Sequence, residues 1–262
     1  MNEIELRKIM EDQVMNGPKY FYRNISVDSV IIGYHEKELK VLLQRPQNFT
    51  KWGLPGGYVL KTETVDEAAF RIVRYRTQLE NIFLHQFKVY SDPDRIKDDS
   101  LNPETFQKII GIPIEKDHWM FDNFISIAFF ALTEFSLVQP TGAAYMEECC
   151  WWNINNLPKL YYDHNEIIAG ALKALKLFIH HHPIGYELLP EKFTLPELHA
   201  LYETILNKKL DIRNFTKKLV SIGLIKKLDE HRNIGAHRSP YLYTFNKEKY
   251  DQLIQEEEII VI

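Results

Sequence analysis

The sequence predicts an α/β chain followed by a smaller, largely helical C-terminal unit. Three observations carry this. SVDSVIIGY and LKVLLQR, two runs of β-branched and aliphatic residues, flank the charged turn HEKE and read as a hairpin. Strand-like runs around Phe87 to Tyr90, in FISIAFFALTEF and in CCWWNI are interleaved with helical stretches at TETVDEAAFRIVRYRTQL and from Asp163 to His181. At His182-Pro183-Ile184-Gly185 the last helix must stop, because Pro and Gly both break it, and a domain boundary falls there. Beyond it PELHALYETILNK, DIRNFTKKLVSIG and YLYTFN read as helix, helix and strand, with a polar, turn-rich segment before the strand.

Each element has a local reason. Met1 to Met15 mixes Glu3, Glu5, Arg7, Lys8, Glu11 and Asp12 with spaced apolar residues, the pattern of a short amphipathic helix and not of a signal peptide. The helix after Leu60 has Thr62 or Thr64 as a cap, acids in its first turn, and an apolar face of Ala68, Ala69, Ile72, Val73 and Leu79. The stretch from Ile96 to Asp122, with a short helix at Pro103 to Ile110, is too long for an ordinary connection.

Composition excludes several classes. With 262 residues, 45% hydrophobic, the chain can bury a substantial core. No apolar run approaches the roughly 20 residues of a membrane helix. Cys149 and Cys150 are adjacent, which disfavours a disulfide between them, and reduced thiols suit the cytosol. A cytoplasmic location is therefore expected. The net charge is -4, yet Asn207 to Arg238 holds nine Lys and Arg against three Asp and Glu. That island carries +6 and the remainder -10, the footprint of phosphate contact.

Gly57-x5-Glu63-x7-Arg71, directly after Leu54-Pro55-Gly56, resembles the first half of the Nudix box of the MutT-like superfamily. The second half departs from it, reading Arg71-Ile72-Val73-Arg74-Tyr75-Arg76-Thr77-Gln78-Leu79. The family's two metal-binding acids fall on Tyr75 and Arg76, its glycine falls on Gln78, and no acid occurs from Ala68 to Leu79. Diphosphate hydrolysis needs a divalent cation held by oxygen ligands, and a guanidinium repels one. An arginine that points inward can instead bind an anion directly.

The tail is similar to the winged-helix domain of the NrtR-type Nudix-related regulators. The matching residues are Pro183-Ile184-Gly185, Leu188-Leu189-Pro190, Phe193-Thr194-Leu195, Asp211-x-Arg213-Asn214-Phe215 and Tyr241-x-Tyr243-x-Phe245, with Asp163-His164 before the linker. The resemblance implies an α/β fold of Nudix type, an α/β/α sandwich with a mixed sheet, followed by a small winged helix-turn-helix domain. It divides the chain into an N-terminal helical extension at 1–24, a Nudix domain at 25–182 with the box at 57–79, and a winged helix at 183–262.

The function so implied is a DNA-binding regulator, a homodimer on double-stranded DNA, whose non-catalytic Nudix domain senses ADP-ribose, another NAD-derived nucleotide or a sugar. Ligand-binding candidates are Arg45, Gly56, Gly57, Arg71, Arg74, Arg76, Asp94 and Arg95. DNA-binding candidates are Arg213, Asn214, Lys217 and Lys218 near the start of a recognition helix capped by Asp211, with Arg232, His237 and Arg238 in the wing. No metal or cofactor is expected. The alternative is a hydrolase of a nucleoside diphosphate derivative using Mg²⁺ on Glu63, Glu147 and Glu148. A third reading is a partner-binding protein with neither activity. The 96–122 segment is expected either to border the ligand pocket or a dimer contact, with Trp119, Met120 and Phe121 over the ligand, or to pack those aromatics on its own domain.

Overall fold

The computed structural model describes residues 3–46, 49–97, 102–138, 140, 147–232 and 239–255. It forms two units, Met1–Ile32 with Val41–Ala131 and Val138–Ala171, and Gly33–Lys40 with Leu132–Leu137 and Leu172–Ile262. Among the described residues no helix is long and apolar enough to cross a membrane.

In chain order the elements begin with α1 (Glu3–Tyr20), β1 (Phe21–His35) and β2 (Glu38–Pro46). Glu36 and Lys37 both take positive φ, 51° and 62°, as a two-residue hairpin turn requires. Next come β3 (Gly56–Leu60), α2 (Val65–Thr77), β4 (Phe83–Tyr90), α3 (Pro103–Ile110), a 3-10 turn at Trp119–Phe121, β5 (Ile125–Leu132), a 3-10 turn at Phe135–Leu137, β6 (Glu147–Asn153) and α4 (His164–Phe178). The sheet order is β4-β5-β1-β2-β6, with β3 antiparallel on β1.

Alternation along the strands makes this a three-layer sandwich. Ala68, Ala69 and Ile72 of α2 pack with Val27, Val59 and Phe129, and Val73 packs with Ile31, Leu42 and Ala131. Phe130, next to Phe129, points to the opposite face, where its ring meets Phe83, His85 and Phe87. Gly170 of α4 lies against Phe87 and the Tyr90 hydroxyl, so α4 covers that second face. A β-carbon at Gly170 would run into Tyr90.

The second unit continues with α5 (Gly185–Leu188), β7 (Phe193–Thr194), α6 (Leu195–Leu206), α7 (Ile212–Ser221), β8 (Ile225–His231), β9 (Tyr241–Phe245) and α8 (Lys247–Gln255). Its sheet is antiparallel in the order β7-β9-β8. Thr194 and Glu197 form a reciprocal capping box on α6, and the Asp211 carboxylate caps α7 by accepting from Asn214 N at 2.8 Å. Leu198, Leu201 and Tyr202 are fully buried, and the Phe215 ring packs edge-on to Tyr202. The helices at 103–110, 195–206 and 212–221 stand where the sequence places them. Strand β8 was not foreseen: it is an edge strand, most of its residues are exposed, and IKKLDEH therefore lacks apolar alternation.

Candidate functional site

The turn into α2 is locked from within. Glu63 accepts from Leu60 N at 2.9 Å and from Arg71 at 2.6 and 2.9 Å, and Arg71 also donates to Tyr58 O at 3.1 Å. Burial raises the pKa of Glu63, but the bonds from Arg71 and Leu60 N outweigh it and hold the carboxyl below its ordinary range. Gly56 sits against Asp28, whose carboxylate a β-carbon would strike, and Gly57 lies over Ile72. The glycines thus permit close backbone approach of β3 to β1 and α2.

Along α2, Arg74 is exposed and donates to Glu80 at 2.5 Å. Arg76 is buried, its guanidinium 5.0 Å from the Tyr75 ring centroid, so it does not lie on a solvated face. Gln78, at the family's glycine position, caps the helix with φ 60°, keeping the left-handed backbone without the glycine that suits it. Arg45 donates to Glu148 at 2.6 Å and lies 4.8 Å from the Trp52 ring. Glu63 and Glu148 are thus each held by an arginine, and the side chain of Glu147 lies outside the described part. Among the described residues no group of three or more His, Cys, Asp or Glu is placed to hold a metal ion. The side chains at the box do not fit the divalent cation that the Nudix fold ordinarily carries.

Beneath the Gly56 turn lies a buried polar network. Arg95, its side chain 1% exposed, makes a bidentate pair with Asp163 at 2.8 and 2.9 Å and approaches Asp28 at 3.6 Å. Its remaining nitrogen donates to Phe124 O at 3.3 Å. Ser126 donates to the oxygen that Arg95 approaches, Asp28 Oδ2, at 2.5 Å. His164 Nδ1 accepts from Leu54 N at 3.0 Å, which leaves Nε2 to carry the proton, 3.7 Å from Asp28. Burial drives the His164 pKa down despite Asp28 and Asp163, so the ring is neutral. Arg95 was named as a ligand contact; the structure engages it with protein carboxylates. Asp28, Asp163 and His164 of this network were not named as site residues, although the lone Asp28 within the aliphatic run SVDSVIIGY was a visible signal.

Above this floor opens a cleft of about 1060 Å³, lined by the end of β4, Ser91 to Lys97, Lys51 and the turn into α4. Of the residues named as ligand-binding, only Asp94 and Arg95 line it. Asp94 pairs there with Lys97 at 2.5 Å, both exposed. The structure therefore separates the box residues from the cleft. Trp119 is buried against Tyr58, its ring 4.8 Å away, and donates to Val14 O of α1 at 2.8 Å. Phe121 packs on Phe106. The aromatics of the long segment thus pack on their own unit.

In the second unit Arg213, Asn214 and Lys217 are exposed on α7, and Lys218 is half-buried. Phe215 and Leu219 face inward, as their spacing predicts. Arg232 is engaged: it donates to Glu197 at 2.9 Å and to Lys192 O at 2.9 Å, tying the end of β8 to α6. His237 and Arg238 lie outside the described residues. An N-capped helix with exposed cations on its first two turns, braced by a second helix and a three-stranded sheet, can present Arg and Asn side chains to a groove of DNA.

Comparison with known proteins agrees with this geometry. The family described as NrtR DNA-binding winged helix domain matches residues 185–245. The chain is 24% identical over 234 residues to the ADPR responsive transcriptional repressor NtrR of Acinetobacter baylyi, spanning 87% of this chain and 84% of that protein. It is 31% identical over 157 residues to the ADP-ribose pyrophosphatase of Methanocaldococcus jannaschii, spanning 59% of this chain and 76% of that protein. The crystal structure of Shewanella oneidensis NrtR complexed with a 27mer DNA superposes with a TM-score of 0.67 at 22% identity, covering 87% of this chain and 95% of that one. The chain belongs to the Nudix superfamily, in the NrtR-type branch that joins a degenerate Nudix domain to a C-terminal winged helix.

Proposed function

We propose that the chain is a ligand-responsive, DNA-binding transcriptional regulator whose Nudix domain senses ADP-ribose or a related molecule and performs no hydrolysis. The carrying observation is the contrast in one chain between a box without its acids and an exposed basic recognition helix. The similarity to an ADP-ribose-responsive repressor and to a DNA-bound NrtR supports it. Arg213 and Asn214 at the head of α7 reach base edges, and Lys217 and Lys218 take phosphates. Two copies reading a near-palindromic site in the cytoplasm complete the reading, and no cofactor enters it. The test is an electrophoretic shift with DNA from upstream of the chain's own gene. Binding that weakens steeply with salt and changes on adding ADP-ribose is the expected result. No sequence preference over bulk DNA would sink the proposal.

Similarity to an ADP-ribose pyrophosphatase favours hydrolysis as a second reading. It requires a metal site that Glu63 and Glu148, both held by arginines, do not supply. Mg²⁺-dependent release of AMP from ADP-ribose, lost on Glu63→Gln, is the outcome that would establish it.

A further inference from the structure

We infer that His199 and Glu203, one turn apart on α6, are positioning residues for DNA recognition: together they clamp the peptide groups of Leu210 and so fix where α7 begins. The inference rests on the DNA-binding reading above and adds to it two residues that act through α7.

The turn between the two helices needs such a device. Residues 207 to 211 contain neither glycine nor proline, the residues that most strongly shape a turn by themselves. Asn207 ends α6 with φ at 51°, and it is followed by two exposed lysines, Lys208 and Lys209, and the half-buried Leu210. Those side chains alone do not set the direction in which the chain leaves. Two residues of α6 do. His199 and Glu203 stand at i and i+4 and share a face of the helix. Glu203 Oε1 accepts from Leu210 N at 2.9 Å, and His199 Nε2 donates to Leu210 O at 2.9 Å. The carbonyl can only accept, so Nε2 carries a proton. The other ring nitrogen, Nδ1, lies 4.0 Å from Glu203 Oε2, to which Lys209 donates at 3.0 Å. The bond from Leu210 N, reinforced by Lys209, holds the Glu203 carboxyl below its ordinary range, so it remains a charged acceptor at neutral pH.

Leu210 immediately precedes the N-cap of α7. Its carbonyl belongs to the peptide that leads into Asp211, whose carboxylate accepts from Asn214 N at 2.8 Å and whose carbonyl accepts from Phe215 N at 2.9 Å. The His199 ring also meets the Phe215 ring edge-on at 5.5 Å. One side chain of α6 thus touches both the turn and the first buried residue of α7. Arg213 and Asn214 lie between those two points, exposed. Base reading and phosphate contact differ in how far they tolerate a displaced helix. A bidentate contact to a base edge needs its donors held within about 0.5 Å. A lysine ammonium on its flexible stem follows a phosphate over a longer distance. Loosening the clamp therefore removes sequence preference and leaves the attraction to bulk DNA in place.

The experiment measures binding of the full chain to two duplexes, one selected by the parent chain from a randomised pool and one with that sequence scrambled, across a salt series. The variants are Glu203→Ala, Glu203→Gln, His199→Leu and His199→Gln, at a temperature where melting curves show each to be folded. Glu203→Ala and His199→Leu should each weaken binding to the selected duplex about tenfold. Affinity for the scrambled duplex should stay within about twofold, with its salt slope unchanged. Glutamine keeps an acceptor at 203 and an N–H donor at 199, so both glutamine variants should recover most of the preference. A purely structural loss lowers the melting temperature and leaves the ratio of the two affinities alone. An unchanged ratio in Glu203→Ala and His199→Leu, whether both affinities hold or fall together, overturns the clamp and leaves the DNA-binding reading standing. Preference lost equally in the glutamine variants also overturns it, because the two bonds to Leu210 would then not be its source. If the parent selects no duplex over bulk DNA, the DNA-binding reading falls and the positioning role with it.

Discussion

Helices α2 and α7 are built alike and use their cations in opposite ways. Each is short, starts at a side-chain N-cap and buries one apolar face. On α2 the arginines turn to their own unit: Arg71 to Glu63, Arg74 to Glu80, Arg76 into the interior. On α7 the first turn carries no acid, and among the described residues no ion pair joins Arg213 or Lys217 to a carboxylate. A cation surrounded by protein acceptors stabilises a fold, and one left to solvent is ready for a partner. The count of cations in each segment does not distinguish the two cases; their neighbours do.

The most severe way to break this comparison is at the buried end. Arg95→Ala leaves Asp163 and Asp28 buried without their cation, and an uncompensated buried charge costs about 3–5 kcal/mol. Chemical denaturation should show that loss with the slope unchanged; a midpoint within error of the parent would contradict the network described here.

At the exposed end the roles separate. Arg213→Ala and Lys217→Ala should each weaken DNA binding by about 1–3 kcal/mol while leaving the melting temperature alone. Arg232→Ala should do the reverse and mainly destabilise the second unit, because its guanidinium bonds Glu197 and Lys192 O. A DNA defect from Arg232→Ala with unchanged melting would place it in the interface after all.

Acid sharpens the contrast. The folded-state pKa of Glu63 is depressed, so its contribution is present above the ordinary carboxylate range and is lost as pH falls through the folded value. His164 also has a lowered folded pKa: below its ordinary value the unfolded chain takes up the proton first, and stability falls with pH. Glu63→Gln should flatten the acid limb of a stability–pH profile, whereas Arg213→Ala should leave that limb untouched.

The smallest effect is expected at Gln78. Gln78→Gly relieves a left-handed residue and should stabilise by up to about 1 kcal/mol, less what the Gln78–Tyr75 O bond contributes. A clear loss of stability would show that this bond outweighs the backbone strain.

Much of the scaffold was legible. Hydrophobic period and turn chemistry located the β1–β2 hairpin, α2 with its threonine cap, and the helices on either side of Asp211. Helix α8 was missed although Asn246, Tyr250 and Leu253 mark its start and inward face, and β7 is too short for a period to register. The cleft was largely illegible: Lys51, Lys88 and Tyr162 come from three separate segments and follow no spacing rule.

By itself the sequence determined that the Nudix box lacks its acids and that a basic island follows it, because residue type and spacing are properties of the chain alone. Only the tertiary structure decided which arginines are available. It paired Arg71 with Glu63, buried Arg76 and Arg95, left Arg213 outside, and assembled a cleft from segments far apart in the chain. The reason is physical: a charge is defined by its side chain, but its pairing and hydration depend on what long-range packing places within a few ångströms of it.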